Sequence, residues 1–175
     1  FPTRRSSDLT KVLEDIQKVR DKVDLLIVAM HWGIEYTHTP TNYQLDIAKF
    51  LSENDVDIII GTHPHVIQPV TFINNTLVIY SLGNMISAQE TKQDNNTTIG
   101  LLTSIKITKE NNNIKLSDLN NELIFTYYEN YTNFKVIPFS HPDIKVHLPD
   151  YERLYNKYST IVKNIDNTIK VKELS

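Results

Sequence analysis

Two short apolar runs, each leading into histidine and separated by one capped amphipathic segment, narrow the folds open to this chain. Asp24-Leu25-Leu26-Ile27-Val28-Ala29-Met30 runs into His31, and Val56-Asp57-Ile58-Ile59-Ile60 runs into Gly61-Thr62-His63-Pro64-His65. Continuous apolar stretches of this kind are the pattern of strands buried on both faces, as in parallel sheets. Between them, after Pro40, Thr41 and Gln44 stand at capping-box spacing, and Tyr43, Ile47, Phe50 and Leu51 follow at i, i+4, i+7 and i+8. Asn54 is placed to close this helix in a left-handed conformation. A strand-helix-strand unit crosses over right-handed with its strands parallel. Both histidine segments are therefore expected at the carboxyl ends of neighbouring strands, where open sheets bind ligands.

The rest of the chain extends this core. Val12, Ile16 and Val19 recur at helical spacing, which predicts a helix over residues 10–22 on the outside of the sheet. Two runs, 66–73 and 76–82, flank Asn74-Asn75, a pair tolerant of positive φ, and read as a hairpin. Residues 99–108 alternate apolar and polar, turn over 109–113, and resume around 114–116 and 122–128 as strands exposed on one side. Ser87 to Thr98 is polar and reads as a loop. Asp150 is placed to cap a last helix with an apolar stripe of Tyr151, Leu154, Tyr155, Tyr158, Ile161, Val162 and Ile165. The fold class is α/β, with no internal repeat and no second-domain boundary. Phe1 to Leu9 reads as translated sequencing adapter, so residues 10–175 are expected to carry the natural domain.

Composition limits function more than it suggests one. At 175 residues and 40% hydrophobic content the chain is long enough for one globular core. Lys and Arg total 18 against 21 Asp and Glu, a net charge of −3, which offers no basic footprint for nucleic acid. No apolar run is long enough for a membrane-spanning helix. The absence of cysteine excludes disulfides and zinc-thiolate sites.

Chemistry is expected at the strand ends. Pro64 bars His63 from helical angles and favours an extended conformation, in which His63 and His65, two apart, project to one side. Together with His31 they make a cluster of three imidazoles. Neutral imidazole is the commonest metal ligand, and three together favour a metal over a general base, which needs one or two. Gly61 and Gly33 permit tight turns beside these segments. Glu35 is a candidate oxygen ligand or a partner that holds an imidazole tautomer. Trp32 and Tyr36 are candidates to line a substrate pocket, although a large aromatic beside a sheet is more often core. His38, His141 and His147, scattered in loops, read as structural.

Read together, His31-Trp32-Gly33-Ile34-Glu35-Tyr36, Gln44, Asp57-Ile58-Ile59-Ile60-Gly61-Thr62-His63-Pro64-His65-Val66 and Tyr80-Ser81-Leu82-Gly83-Asn84 resemble the CapA family of poly-gamma-glutamate capsule synthesis proteins, related to the calcineurin-like metallophosphoesterases. The resemblance covers roughly residues 24 to 90. It implies part of a four-layer α/β/β/α sandwich with mixed sheets and a two-metal site of Mn, Fe or Zn. In that pattern His31 and His63 serve one ion and His65 its neighbour, with Glu35, Asn84 or Trp32 as supporting or substrate-positioning residues. The remaining ligands, an early aspartate motif, a bridging aspartate and an Asn-His motif, belong to a preceding half of the domain. The implied roles are a metal-dependent hydrolase or a non-catalytic accessory subunit. Implied partners are an anionic polymer such as poly-gamma-glutamate and other subunits of a membrane-bound synthase, at the cell surface or membrane and outside the cytoplasm.

Overall fold

A computed structural model describes residues 6–89, 97–111 and 113–175, with side chains described from Leu9 onward. Of the segment read as adapter, residues 1–5 lie outside the described residues, as do residues 90–96 of the loop expected over 87–98. The elements run α1 (Ser6–Arg20), β1 (Ile27–His31), α2 (Asn42–Ser52), β2 (Ile58–Thr62), β3 (Val70–Ile73), β4 (Thr76–Ile79), β5 (Ile99–Glu110), β6 (Asn113–Glu129), β7 (Thr132–Pro138), α3 (Ile144–His147) and α4 (Tyr151–Val162). The α/β class read from the sequence is the class observed.

The expected strand-helix-strand unit is present. β1 and β2 pair in parallel with His31 opposite Thr62, and α2 opens on the expected capping box between Thr41 and Gln44. β4 pairs in parallel with β2 and antiparallel with β3, giving a mixed four-stranded sheet of order β1-β2-β4-β3. The β3–β4 turn is Asn74-Asn75, with Asn74 at φ 52°. A second, antiparallel sheet has the order β5-β6-β7.

Alternate residues of the mixed sheet feed different cores, as the period of two in a strand requires. Ile59 and Val78 join Ile16 of α1 and Ile47, Ala48 and Leu51 of α2. Ile58, Leu77 and Ile79 join Leu101, Leu123, Phe125 and Ile137 of the second sheet and Leu154, Tyr158 and Val162 of α4. Each cluster removes enough aliphatic side chain from water, at roughly 1.5–3 kcal/mol apiece, to hold its layer in place.

Several expectations fail for identifiable reasons. β1 is not buried on both faces: Ile27, Ala29 and His31 are exposed, because β1 is the last strand on its side and only its Val28 and Met30 face is covered by helices. Tyr43 is 44% exposed, and the buried face of α2 is instead Gln44, Ile47, Ala48 and Leu51. The left-handed residue after α2 is Asp55, while Asn54 turns its amide back to the Phe50 carbonyl at 2.7 Å. The segments around 114–116 and 122–128 are one strand, carried through Ser117 to Asn120 by a bulge with Asp118 at φ 53°. β7 has no counterpart in the sequence reading; most of it is exposed, so it lacks an apolar signature. Asp150 stands at the start of α4 but makes no capping bond, its carboxylate being taken by Arg153, and Ile165 falls beyond the helix.

Candidate functional site

The parallel register that sets His31 beside Thr62 brings the first histidine to the turn that carries the other two. The rings of His31 and His63 lie 4.5 Å apart between centroids, tilted by 51°, and those of His63 and His65 lie 6.3 Å apart. His31 is exposed, whereas His63 and His65 are half-buried. The expected convergence of the three imidazoles at the carboxyl ends of β1 and β2 is therefore observed.

The backbone reaches this arrangement differently from the extended path expected. His63 has φ 97° and His65 φ 60°, both left-handed. Pro64 still bars His63 from the right-handed helical region, but the chain escapes through positive φ. Tyr36, at φ 61°, is a third such residue in the same place, and its N–H donates to the Pro64 carbonyl at 2.8 Å. Left-handed conformations in non-glycine residues cost roughly 1–2 kcal/mol each and persist where surrounding structure imposes them, which is characteristic of functional turns.

Supporting contacts fix the histidine turn from three sides. From β1, the Trp32 N–H donates to the Thr62 carbonyl at 3.2 Å, and the Thr62 hydroxyl donates to the Met30 carbonyl at 3.0 Å. From the loop after β1, the Tyr36 ring stacks on His65 at 6.1 Å. From the segment after β4, the Asn84 carboxamide oxygen lies 3.0 Å from His65 Nδ1. Asn84 Nδ2 donates to the Thr97 carbonyl at 2.9 Å and to Gln89 Oε1 at 3.2 Å.

Trp32 takes the core role. It is 4% exposed, donates from its indole N–H to the Tyr80 carbonyl at 2.8 Å, and stacks on Tyr80. Burial raises the Tyr80 phenol to a pKa of about 12. Gly61, expected to allow a turn, lies within β2 and instead permits close packing. A β-carbon there would stand 1.9 Å from the Tyr80 carbonyl oxygen and 2.5 Å from Trp32 Nε1. Trp32 thus underlies the strand that presents His63. Glu35 is exposed, and its carboxylate makes no hydrogen bond or ion pair with the described residues.

Two residues outside the expected cluster matter here: Gln68, which the sequence did not flag, and His38, which was read as structural and is. Gln68 is fully buried, accepts from Gln44 Nε2 at 2.8 Å and donates to the Thr37 carbonyl at 2.7 Å. His38 places Nδ1 2.7 Å from the Ile67 carbonyl and meets Tyr158 edge-on, and burial lowers its pKa below the ordinary histidine value. Both tie the loop after β1 to the residues just after His65. Gln68 carries no periodic signal, since one buried amide in an apolar run resembles an interruption.

At the opposite end of the sheet, Asp57 receives Arg20 at 2.7 Å and the Leu26 N–H at 2.7 Å. The polar cleft around it, lined also by Asp24, Asp55, Asn74 and Asn75, has no part in the histidine cluster.

In kind, the imidazole donors suit a divalent ion of the Mn, Fe or Zn type. In number, three imidazoles would supply only one side of a coordination sphere. Among the described residues, no group of three or more His, Asp or Glu side chains is gathered closely enough to hold an ion by itself.

The sequence profile of the family described as bacterial capsule synthesis protein PGA_cap matches residues 2–89, a stretch that contains every candidate site residue. The chain is similar to the PGA biosynthesis protein CapA of Bacillus subtilis (strain 168), with 39% identity over 74 residues, 42% of this chain and 20% of that protein. It is also similar to the capsule biosynthesis protein CapA of Bacillus anthracis, with 38% identity over 82 residues, 45% of this chain and 20% of that protein. The matched segment spans about a fifth of the length of these curated relatives.

Proposed function

Because the chain belongs to the PGA_cap family of bacterial capsule synthesis proteins, we propose that His31, His63 and His65 form one wall of a divalent-cation site in a protein that makes or exports an anionic capsule polymer such as poly-gamma-glutamate. The observation that carries this reading is the meeting of three imidazoles at the ends of two parallel strands, on a turn held at positive φ at two histidines. The carboxylates that would balance the ions come, in this reading, from other parts of a longer protein. A bound divalent ion supplies Lewis acidity, polarising a phosphoryl or acyl oxygen and making water acidic enough to attack at neutral pH. The histidine wall would bind and orient that ion, and the Trp32–Gly61 packing would keep the wall rigid.

A second reading, an accessory subunit that holds polymer without turnover, draws on two observations. Glu35 makes no hydrogen bond or ion pair with the imidazoles, and the apolar Ile34, Tyr36, Met85 and Ile86, on the two loops flanking His65, are 48% to 62% exposed. In this reading the cation bridges the chain to the polymer's carboxylates, and the partners are other subunits of a membrane-bound synthase. Both readings share a setting at the cell surface or membrane, consistent with one relative named for PGA biosynthesis and one for capsule biosynthesis. No helix among the described residues is long and apolar enough to cross a membrane.

The test is Mn2+-dependent turnover of phosphate esters and of poly-gamma-glutamate by the full-length protein, beside its His63→Ala variant. Loss of at least a hundredfold in the variant is expected for a hydrolase. Equal activity would sink that reading, and chelator-insensitive capture of polymer would sink the cation bridge.

A further inference from the structure

We propose that Asn84 is a positioning residue that locks His65 as its Nδ1–H tautomer and reserves Nε2 as the basic nitrogen for a cation, an assignment that rests on the divalent-cation reading above for its purpose but not for its chemistry. The orientation of the Asn84 amide is set away from the histidine, at a backbone carbonyl. Thr97 O is an acceptor and cannot donate, and it lies 2.9 Å from one terminal atom of the Asn84 amide. That atom must therefore be the nitrogen, which fixes the amide's orientation from the hydrogen-bond network. A second acceptor, Gln89 Oε1, meets the same nitrogen at 3.2 Å. With both amide hydrogens so directed, the oxygen faces His65 Nδ1 at 3.0 Å. A carboxamide oxygen only accepts, so Nδ1 must carry the proton, and neutral His65 then has its lone pair on Nε2.

The surroundings serve the same end. Tyr36 stacks over the His65 ring at 6.1 Å and limits its rotation. Asn84 is itself held by its chain neighbours: Gly83 bridges to Gly100, the Leu101 N–H donates to the Leu82 carbonyl at 2.8 Å, and the Thr126 hydroxyl donates to the Met85 carbonyl at 2.6 Å. A ligand imidazole whose other nitrogen donates to a fixed acceptor is more basic and better oriented than a free one, and loss of such a partner typically costs 10- to 100-fold in metal affinity. His31 and His63 have no comparable acceptor at a ring nitrogen among the described residues. The lock therefore distinguishes His65 within the cluster.

The experiment is two-bond nitrogen–proton NMR on the full chain carrying 15N-labelled histidine, above the histidine titration range, before and after Zn2+. A protonated-type Nδ1 and an unprotonated-type Nε2 for His65 are expected in the apo protein, with conversion to a mixed, exchange-averaged pattern in Asn84→Leu. A proton on Nε2 in the unsubstituted chain overturns the assignment without reference to any variant, and so does an unchanged His65 pattern in a folded Asn84→Leu chain. Zn2+ is expected to shift the Nε2 resonance, with roughly 10- to 100-fold weaker binding in Asn84→Leu. A locked tautomer whose Nε2 ignores Zn2+ would overturn the cation reading and leave the tautomer assignment standing.

Discussion

The side-chain amides of Gln44 and Gln68 meet at 2.8 Å in a place that solvent does not reach. Their direction is set by backbone groups at each end. The Thr41 N–H donates to Gln44 Oε1 at 3.0 Å, and Gln68 Nε2 donates to the Thr37 carbonyl at 2.7 Å. Neither amide can flip without opposing like groups. In Gln68→Leu, Gln44 Nε2 loses its acceptor and the Thr37 carbonyl its donor, at an expected cost of about 2–3 kcal/mol. In a double-mutant cycle read by urea unfolding, Gln44→Leu with Gln68→Leu is expected to cost clearly less than the sum of the singles. Additive costs would show that the amides do not act as a pair.

Gly61→Ala tests the packing beneath the histidine turn. Its β-carbon would meet backbone at Tyr80, which cannot swing aside as a side chain can. Destabilisation of roughly 3 kcal/mol is expected. Trp32 is the sole tryptophan, so its fluorescence reports on this contact directly. A shifted emission maximum in the folded variant is expected, and an unchanged spectrum and midpoint would refute the close approach.

His65→Gly and His65→Ala separate the conformational strain of the turn from its chemistry. Both remove the imidazole. At φ 60° glycine is free of the strain that alanine retains, so His65→Gly is expected to be about 1 kcal/mol more stable than His65→Ala. Thermal unfolding of the two proteins side by side decides the point.

Stability should also respond to acid through His38. Burial, the larger cause, lowers its pKa, so the folded state resists a proton that the unfolded chain accepts. The sign is therefore loss of stability on acidification. The contribution is complete above an ordinary histidine pKa of about 6.5 and declines as pH falls from there toward the lowered folded value. His38→Gln is expected to flatten the urea midpoint between about pH 7 and 5 relative to the parent chain. A parallel pair of pH curves would exclude His38 as the source.

Much of this was legible in sequence because it rested on local rules. The box at Thr41 and Gln44, the turn at Asn74-Asn75 and the alternation in β5 each follow from a few neighbouring residues. So did the meeting of His31 with His63, since two parallel strands leave their carboxyl ends together. What could not be read depends on partners distant in the chain. Whether Ile27 is covered depends on which strands flank β1, and Gln68 gains its meaning from Gln44, Thr37 and Thr39. The positive φ at His63 and His65 was hidden for a related reason: proline excludes one backbone region, but packing chooses among the others.

The Gly83–Gly100 bridge has a mechanical consequence. The antiparallel sheet contributes none of the three imidazoles, yet through this bridge and the Leu82–Leu101 hydrogen bond it anchors the segment that holds His65 in register. A load on β5 is thus delivered to the histidine turn rather than dissipated in a loop. Amide hydrogen exchange at Gly100 and Leu101 should therefore slow when the turn is gripped by a ligand, making a sheet remote from the chemistry a reporter of its occupancy.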